Sequence, residues 1–226
     1  MRNRPQSLML FAAGFGTRMG ALTAHQPKPL IKVAGKALID HAIDLIPKGI
    51  KVVANAHYLS DQIRSHLSPK GIAISDESDA ILETGGGLRR ALPLLGKGPV
   101  YTLNTDAVWH GENPLERLSQ DWDGSADALL LLAPADQLRG HKGKGDFTLH
   151  ADGTITRGGP LTYLGAQIID PKGIEDIAED AFSLNRLWDQ MIATGRAKGT
   201  LYSGLWCDVG RPEGILEAEA MLKEPL

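Results

Sequence analysis

Cysteine is nearly absent: Cys207 is the only one in 226 residues. A single thiol makes neither an intrachain disulfide nor a multi-cysteine zinc site, so neither staple holds this fold, and a reducing compartment is expected. Long apolar runs are missing as well. Nothing approaches the roughly 18 residues of a membrane helix. The opening arginines followed by the apolar residues 8–13 imitate a signal peptide, but that run is shorter than a normal hydrophobic region and reads as a strand. The expectation is a cytoplasmic protein without membrane contact. There is no basic excess either, since 24 Lys and Arg face 27 Asp and Glu for a net charge of -3. The chain therefore has no global attraction for nucleic acid. Internal repeats and linkers are lacking, and 42% hydrophobic with 23% charged residues is an ordinary globular composition. One domain over residues 1–226 is expected.

The last absence is local. No acidic residue precedes Asp40, while Arg2, Arg4, Arg18, Lys28, Lys32 and Lys36 do, so 18 of the 24 basic residues and all 27 acidic ones follow. The weak overall charge conceals a basic, glycine-rich opening of the kind that receives an anion. Arg2 and Arg4 read as a solvated, frayed terminus, whereas Arg18 and Lys28 are assigned to function.

The hydrophobic pattern alternates strands and helices. Strands are expected at residues 7–13, 50–55, 71–75, 99–104, 128–133 and 165–169. Helices are expected at 37–46, 60–67, 84–95, 114–120, 173–179, 184–194 and 212–223. Pro27 and Pro29 fix an extended loop. Asp152-Gly153 is a strong hairpin turn between short strands at 146–150 and 154–157, and a short β pair is expected within 199–208. The class is α/β with a small β-hairpin insertion.

Gly14-Phe15-Gly16-Thr17-Arg18 follows the first strand, where glycines let a backbone approach an anion and expose N–H donors. A dinucleotide fingerprint would need glycine at Met19 and an acid about 20 residues on, and both are missing. No Gly-Lys-Ser/Thr closes a Walker A loop. What remains is Arg18 within the loop and Lys28 ten residues later, two cations suited to gripping a polyphosphate. The histidines, His57 and His110 among them, lack metal-ligand spacing, and Cys207 reads as a small buried hydrophobe.

Several segments together, Ala12-Ala13-Gly14-Phe15-Gly16-Thr17-Arg18-Met19, Pro27-Lys28-Pro29-Leu30 and Gly35-Lys36-Ala37-Leu38-Ile39, resemble the sugar 1-phosphate nucleotidyltransferases. Glu83-Thr84-Gly85-Gly86-Gly87-Leu88, Asn104-Thr105-Asp106, Gly145-Asp146-Phe147, Tyr163-Leu164-Gly165-Ala166 and Trp206-Cys207-Asp208-Val209-Gly210 extend the resemblance over nearly the whole chain. Gly85 stands where alanine is common, and Thr105 where glycine is. Within the family the chain is most similar to short bacterial members that uridylylate N-acetylmuramate 1-phosphate in peptidoglycan recycling.

The resemblance implies a doubly wound, mixed but mostly parallel sheet flanked by helices, Rossmann-like, of the nucleotide-diphospho-sugar transferase type. It implies a nucleotide-binding half at about residues 1–110 and a sugar-binding half at about 111–226, with the two substrates as partners, no nucleic acid and no membrane, in a monomer or small homo-oligomer. The implied reaction joins a nucleoside triphosphate, UTP in the first instance, to a sugar 1-phosphate and releases pyrophosphate, with Mg²⁺ as cofactor. An ionised phosphate attacks, so positioning two polyanions is the task, and no general base is required.

By the same resemblance Ala13, Gly14, Gly16, Thr17, Arg18, Lys28, Glu83, Gly86 and Asp106 contact the nucleotide. Arg18 and Lys28 act catalytically, on the leaving pyrophosphate and the α-phosphate respectively. Asp106 and Asp208 hold the metal. Asn55, Asp146 and Gly165 are the candidates at the sugar by position, and Arg139, His141, Lys142 and Lys144, on a glycine-bounded loop, either attract an acidic sugar substituent or form a solvated loop, the solvated loop being the better reading for any one of them. Alternatives that change only the ligands are cytidylyl, thymidylyl or guanylyl transfer to phosphocholine or a hexose or heptose 1-phosphate. Alternatives of other classes are a non-catalytic nucleotide-sensing subunit and a dinucleotide-dependent oxidoreductase.

Overall fold

Side chains alternate across a strand, and the first strand thereby divides the core. In β1 (Ser7–Phe11) Leu8 and Leu10 enter one apolar cluster and Met9 another. The computed structural model describes residues 4–225, so Arg2 lies outside the described residues, while Arg4 is exposed. After β1 come β2 (Lys32–Val33), β3 (Lys36–Ala37), α1 (Leu38–Ile43), β4 (Lys51–Ala56), α2 (Ser60–Leu67), β5 (Ala73–Asp76) and α3 (Glu83–Leu95). Then follow β6 (Val100–Asn104), β7 (Ala107–His110), α4 (Pro114–Asp121), β8 (Ala128–Pro134), β9 (Leu138–Arg139), β10 (Phe147–Leu149) and β11 (Ile155–Arg157). The chain continues with β12 (Leu161–Ile169), α5 (Asn185–Ala193), β13 (Ala197–Leu201), β14 (Leu205–Asp208) and α6 (Glu213–Met221).

The main sheet runs β5-β4-β1-β6-β12, with β8 against β12 and β13 beside β8. The first four of these strands are mutually parallel, β12 is antiparallel to β6, β8 and β10, and β13 is parallel to β8. Residues from α1, α2 and α4 pack with Leu8 and Leu10, and residues from α3 and α5 pack with Met9, so helices cover both faces. This is the mixed, doubly wound arrangement that was expected. β10 and β11 form the antiparallel hairpin about Asp152-Gly153 and attach to the start of β12.

Three expectations fail for identifiable reasons. Residues 173–179 hold only a 3-10 turn, Ile174–Asp176. Ile174 and Ile177 are spaced for a helix, but one turn suffices to bury both, and the chain then runs on to seat Phe182 against α3. The Phe182 carbonyl accepts N–H donors from Gly85 and Gly86 at 2.8 and 3.1 Å.

The strands within 197–208 are not each other's partners. β13 extends the main sheet, whereas β14 lies between β7 and β9 in a separate three-stranded sheet. Gly204 permits the departure, because a Cβ there would collide with the Tyr202 hydroxyl, which itself donates to the Glu112 carbonyl at 2.7 Å. The small sheet, including the unanticipated β7, packs with α6 through Val108, Cys207, Val209, Ala218 and Met221. Finally, the segment held by Pro27 and Pro29 contains a 3-10 turn, Lys28–Leu30. Proline at its second position supplies a φ compatible with the turn and gives up an N–H that needs no helical partner.

Candidate functional site

Ligands of open α/β sheets gather outside the carboxyl ends of the strands, and four parallel strands end together here. Phe11 ends β1 and residues 12–14 follow it, Asn55 is the penultimate residue of β4, Glu77 follows β5, and Asn104 ends β6 with Thr105 and Asp106 after it. Between them lie two adjoining cavities that share Phe11, Gly14 and Thr84. The first, about 170 Å³, is also lined by Ala13, Asn55, Glu77, Ile81 and Glu83. The second, about 190 Å³, is also lined by Lys28, Asn104, Thr105 and Asp106. Glu83 stands on the rim with φ +58, a left-handed backbone that glutamate seldom adopts.

The second cavity opens on a cluster of opposite charges. Lys28, 8% exposed, places its Nζ 2.8 Å from Asp106 Oδ2. Gly16 has φ +65, and a Cβ on it would lie 2.8 Å from Lys28 Cβ, so glycine lets the loop fold over the lysine stem. Thr17 and Arg18, both exposed, then open a 3-10 segment in which Met19 and Thr23 are buried.

Asp208 is distant in sequence but joins Asp106 through β14. Asp208 is opposite Ala107 in the ladder, and the Val209 N–H donates to the Asp106 carbonyl at 2.8 Å. Burial raises the Asp208 carboxyl above the usual carboxylate range, and the charge of Asp106 raises it further. Lys28, Arg18 and His141 oppose that rise. Gly210 sits where a Cβ would come 2.9 Å from both Asp208 carboxylate oxygens and 3.1 Å from an Arg18 guanidinium nitrogen. Arg18, Lys28, Asp106 and Asp208 therefore form one constellation.

Two neighbouring carboxylates are a hard-oxygen donor set, which suits a divalent cation whose other ligands are phosphate oxygens and water. Burial is the larger cause of the rise at Asp208, and the neighbouring Asp106 charge adds a part that a bound cation would relieve. Among the described residues no group of three or more His, Cys, Asp and Glu side chains converges. The residues present fit the ion. Cys207, adjacent in sequence, is fully buried with its thiol pushed up to about 12 by burial, which suits a packing role.

The first cavity contains a residue that the sequence did not single out. Glu77 is 1% exposed, and its burial raises its carboxyl above the usual range despite hydrogen bonds from Asn55 and the Leu82 backbone. Asn55, expected at the sugar, is 3% exposed and engaged at both ends of its amide. Its Oδ1 accepts the Ala12 N–H at 2.7 Å and its Nδ2 donates to Glu77 Oε1 at 2.8 Å. Its cavity is the one shared with Ala13, Gly14 and Glu83.

The glycine run of α3 has a packing explanation. A Cβ on Gly85 would collide with the Phe182 ring, and one on Gly86 with the Asp180 carbonyl. One on Gly87 would lie 2.7 Å from Glu77 Oε1. Gly86 lines a separate outer cavity with Arg89, Arg90 and Asp180 and does not line the two described above. Thr105, where glycine is common, is 2% exposed and donates from its hydroxyl to the Phe11 carbonyl at 2.8 Å, tying the β6 end to β1.

Of the remaining sugar candidates, Gly165 has φ +81 and packs on Asn104, a lining residue of the second cavity. Asp146 lies outside both cavities at the base of the hairpin, where its Oδ2 accepts the Tyr163 N–H at 2.9 Å. Arg139 turns to Glu224 at 3.2 Å. His141 packs edge-on against Trp206 at 6.1 Å and is among the charges felt by Asp208, while Lys142 and Lys144 are exposed.

The family model for the MobA-like NTP transferase domain matches residues 8–168. Among curated proteins, the N-acetylmuramate alpha-1-phosphate uridylyltransferase of Caulobacter vibrioides is 41% identical, over 99% of this chain and all of that one. The protein of the same name from Neisseria meningitidis is 33% identical over 94% of this chain and 96% of that one. Among solved structures, HddC from Yersinia pseudotuberculosis complexed with GMP-PN superposes with a TM-score of 0.75 at 20% identity, over 96% of this chain and all of that one. The inositol-1-phosphate CTP transferase from T. maritima gives 0.78 at 16%, over all of this chain and 99% of that one. These two likenesses bear on the fold.

Proposed function

This chain belongs to the MobA-like NTP transferase family and is a sugar 1-phosphate nucleotidyltransferase, and from that premise we propose that it transfers the uridylyl group of UTP to N-acetylmuramate 1-phosphate, releasing pyrophosphate. The observation that carries the chemistry is the convergence of Arg18, Lys28, Asp106 and Asp208, of which Lys28 and Asp106 line the second cavity. The choice of donor and acceptor is supported by the relative with 41% identity along the full chain.

In this reading the triphosphate lies along residues 13–17, whose glycines admit it closely. Lys28 contacts the α-phosphate, and Arg18 stabilises charge gathering on the departing pyrophosphate. The acceptor phosphate is already ionised near neutral pH, so the residues bind and align, and none needs to take a proton. Asp106 and Asp208 would hold Mg²⁺, which when bound neutralises phosphate charge and favours approach of the two polyanions. The acceptor lies on the Gly165 side of the second cavity, within reach of the hairpin and its preceding loop. The nucleotide half at about residues 1–110 and the sugar half at about 111–226 then meet at the metal carboxylates. In this reading the enzyme works in the cytoplasm, where its nucleotide donor is found. Among the described residues no helix is long and apolar enough to cross a membrane.

The test is pyrophosphate release with Mg²⁺ for UTP, dTTP, CTP, GTP and ATP, each crossed with N-acetylmuramate, N-acetylglucosamine, glucose and mannose 1-phosphates and phosphocholine. Turnover concentrated in UTP with N-acetylmuramate 1-phosphate, yielding a product with the mass of UDP-N-acetylmuramate, is expected. A different preferred pair overturns the substrate assignment, and nucleotide binding without pyrophosphate release throughout overturns catalysis itself.

A further inference from the structure

Where β1 ends, its last backbone donors lose their sheet partners. The parallel ladder between β1 and β4 runs to Leu10 opposite Ala54, and Ala12, two residues on, is 4% exposed. A buried N–H without an acceptor is costly. Asn55 Oδ1 supplies the acceptor at 2.7 Å from the Ala12 nitrogen. An asparagine amide, however, fits a pocket either way round, and the opposite orientation would turn its NH₂ toward the N–H it must accept.

Glu77 removes that ambiguity. An ionised carboxylate only accepts hydrogen bonds, and Oε1 stands 2.8 Å from Asn55 Nδ2. The flipped amide would bring two oxygens together at Glu77 and two donors together at Ala12. Glu77 also accepts the Leu82 N–H, which ties the same side chain to the segment entering α3. Gly87 leaves the space for the pair, since a Cβ there would lie 2.7 Å from Glu77 Oε1 and 3.0 Å from Asn55 Nδ2. The ends of β1, β4 and β5 and the start of α3 are thus joined by three hydrogen bonds beneath the loop that begins at Ala13.

We propose that Glu77 is a positioning residue that acts through Asn55 to hold the Ala12 amide, and so sets the path of residues 13–17 for the triphosphate. The inference rests on the nucleotide occupying that loop, as argued above. It assigns Asn55 to the donor nucleotide's loop and away from the sugar.

The arrangement can be inverted without changing its charge. With Asn55→Asp and Glu77→Gln together, an aspartate accepts from Ala12 and from the glutamine NH₂, while the glutamine oxygen accepts from Leu82. Each single substitution breaks the pattern: Glu77→Gln leaves only one accepting oxygen for two donors, and Asn55→Asp faces one carboxylate with another.

Wild type, both single variants and the double variant are compared by KM for UTP, KM for the acceptor, kcat and thermal midpoint. A net hydrogen bond is worth about tenfold in binding. Each single variant is expected to raise the KM for UTP by about that factor with the acceptor KM within twofold, and the double variant to return the UTP KM to within about threefold of wild type. A UTP KM unchanged in the single variants, or a double variant as impaired as the two singles combined, overturns the proposal. So does an equal rise of both KM values in proportion to lost thermal stability. Failure of the underlying reading shows separately, as absence of UTP turnover in the wild-type enzyme.

Discussion

Two walls meet at the Asp106–Asp208 pair, and they are built in opposite ways. The wall made by the ends of β1, β4 and β5 and the start of α3 keeps its polar groups inside: Asn55 and Glu77 are 3% and 1% exposed and bonded to each other. The wall made by residues 139–146 keeps its charges outside, with Arg139 drawn off to Glu224 and Lys142 and Lys144 exposed. Buried polar groups with fixed partners hold one geometry, because any alternative leaves them unsatisfied. Exposed side chains on a loop contribute little to stability and can adjust to a ligand. The side assigned to the triphosphate is thus shaped in advance, whereas the side assigned to the acceptor is tuned by surface charge.

The largest effect should fall where the two walls join. Asp208→Ala or Asp106→Ala is expected to abolish metal-dependent turnover with the circular dichroism spectrum intact, and undiminished turnover would remove the metal assignment. Next comes the cation on the loop: Arg18→Ala should lower kcat by on the order of 10³, read by single-turnover kinetics, while the acceptor KM holds.

A third substitution tests the rigidity of the buried wall without adding charge. Gly87→Ala inserts a methyl group 2.7 Å from Glu77 Oε1 and should cost about 1–3 kcal/mol as overpacking. Thermal denaturation should show a fall of roughly 2–4 °C per kcal/mol for a domain of this size. A neutral Gly87→Ala would show that wall to be looser than described.

A fourth sharpens the electrostatics. Burial raises the Glu77 carboxyl above its ordinary value of 4.5, so its contribution to stability is present below that pH and lost as pH rises through the folded-state value. The stability advantage of wild type over Glu77→Gln should therefore shrink from pH 4.5 to pH 7 in urea unfolding; a growing advantage contradicts the sign. The smallest effect belongs to the exposed wall. Lys142→Ala with Lys144→Ala should raise the acceptor KM no more than about threefold, in line with exposed charges, and leave the UTP KM unchanged.

The same contrast decides what could be read from the sequence. The strand and helix alternation, the Asp152-Gly153 hairpin and the basic glycine loop are local patterns, and the fold contains them. Arg18, Lys28, Asp106 and Asp208 were legible through motifs, and the structure brings them together. Glu77 was not, because Asp76-Glu77-Ser78-Asp79 has the composition of a solvated turn and only α3 closing over it makes Glu77 a buried group. The glycines at 85–87 likewise mark a helix that must pass close to Phe182, Asp180 and Glu77, contacts made by residues far away or outside any pattern. The turn at Ile174–Asp176 and the separation of β13 from β14 were misread for the same reason, since each is set by what the segment packs on.

Amide hydrogen exchange with each substrate alone, in the presence of Mg²⁺, tests the division of labour most directly. UTP without acceptor should slow exchange across residues 12–17 and 81–85 and leave 139–149 unchanged. Protection by UTP that falls on 139–149 and spares 12–17 would contradict the account.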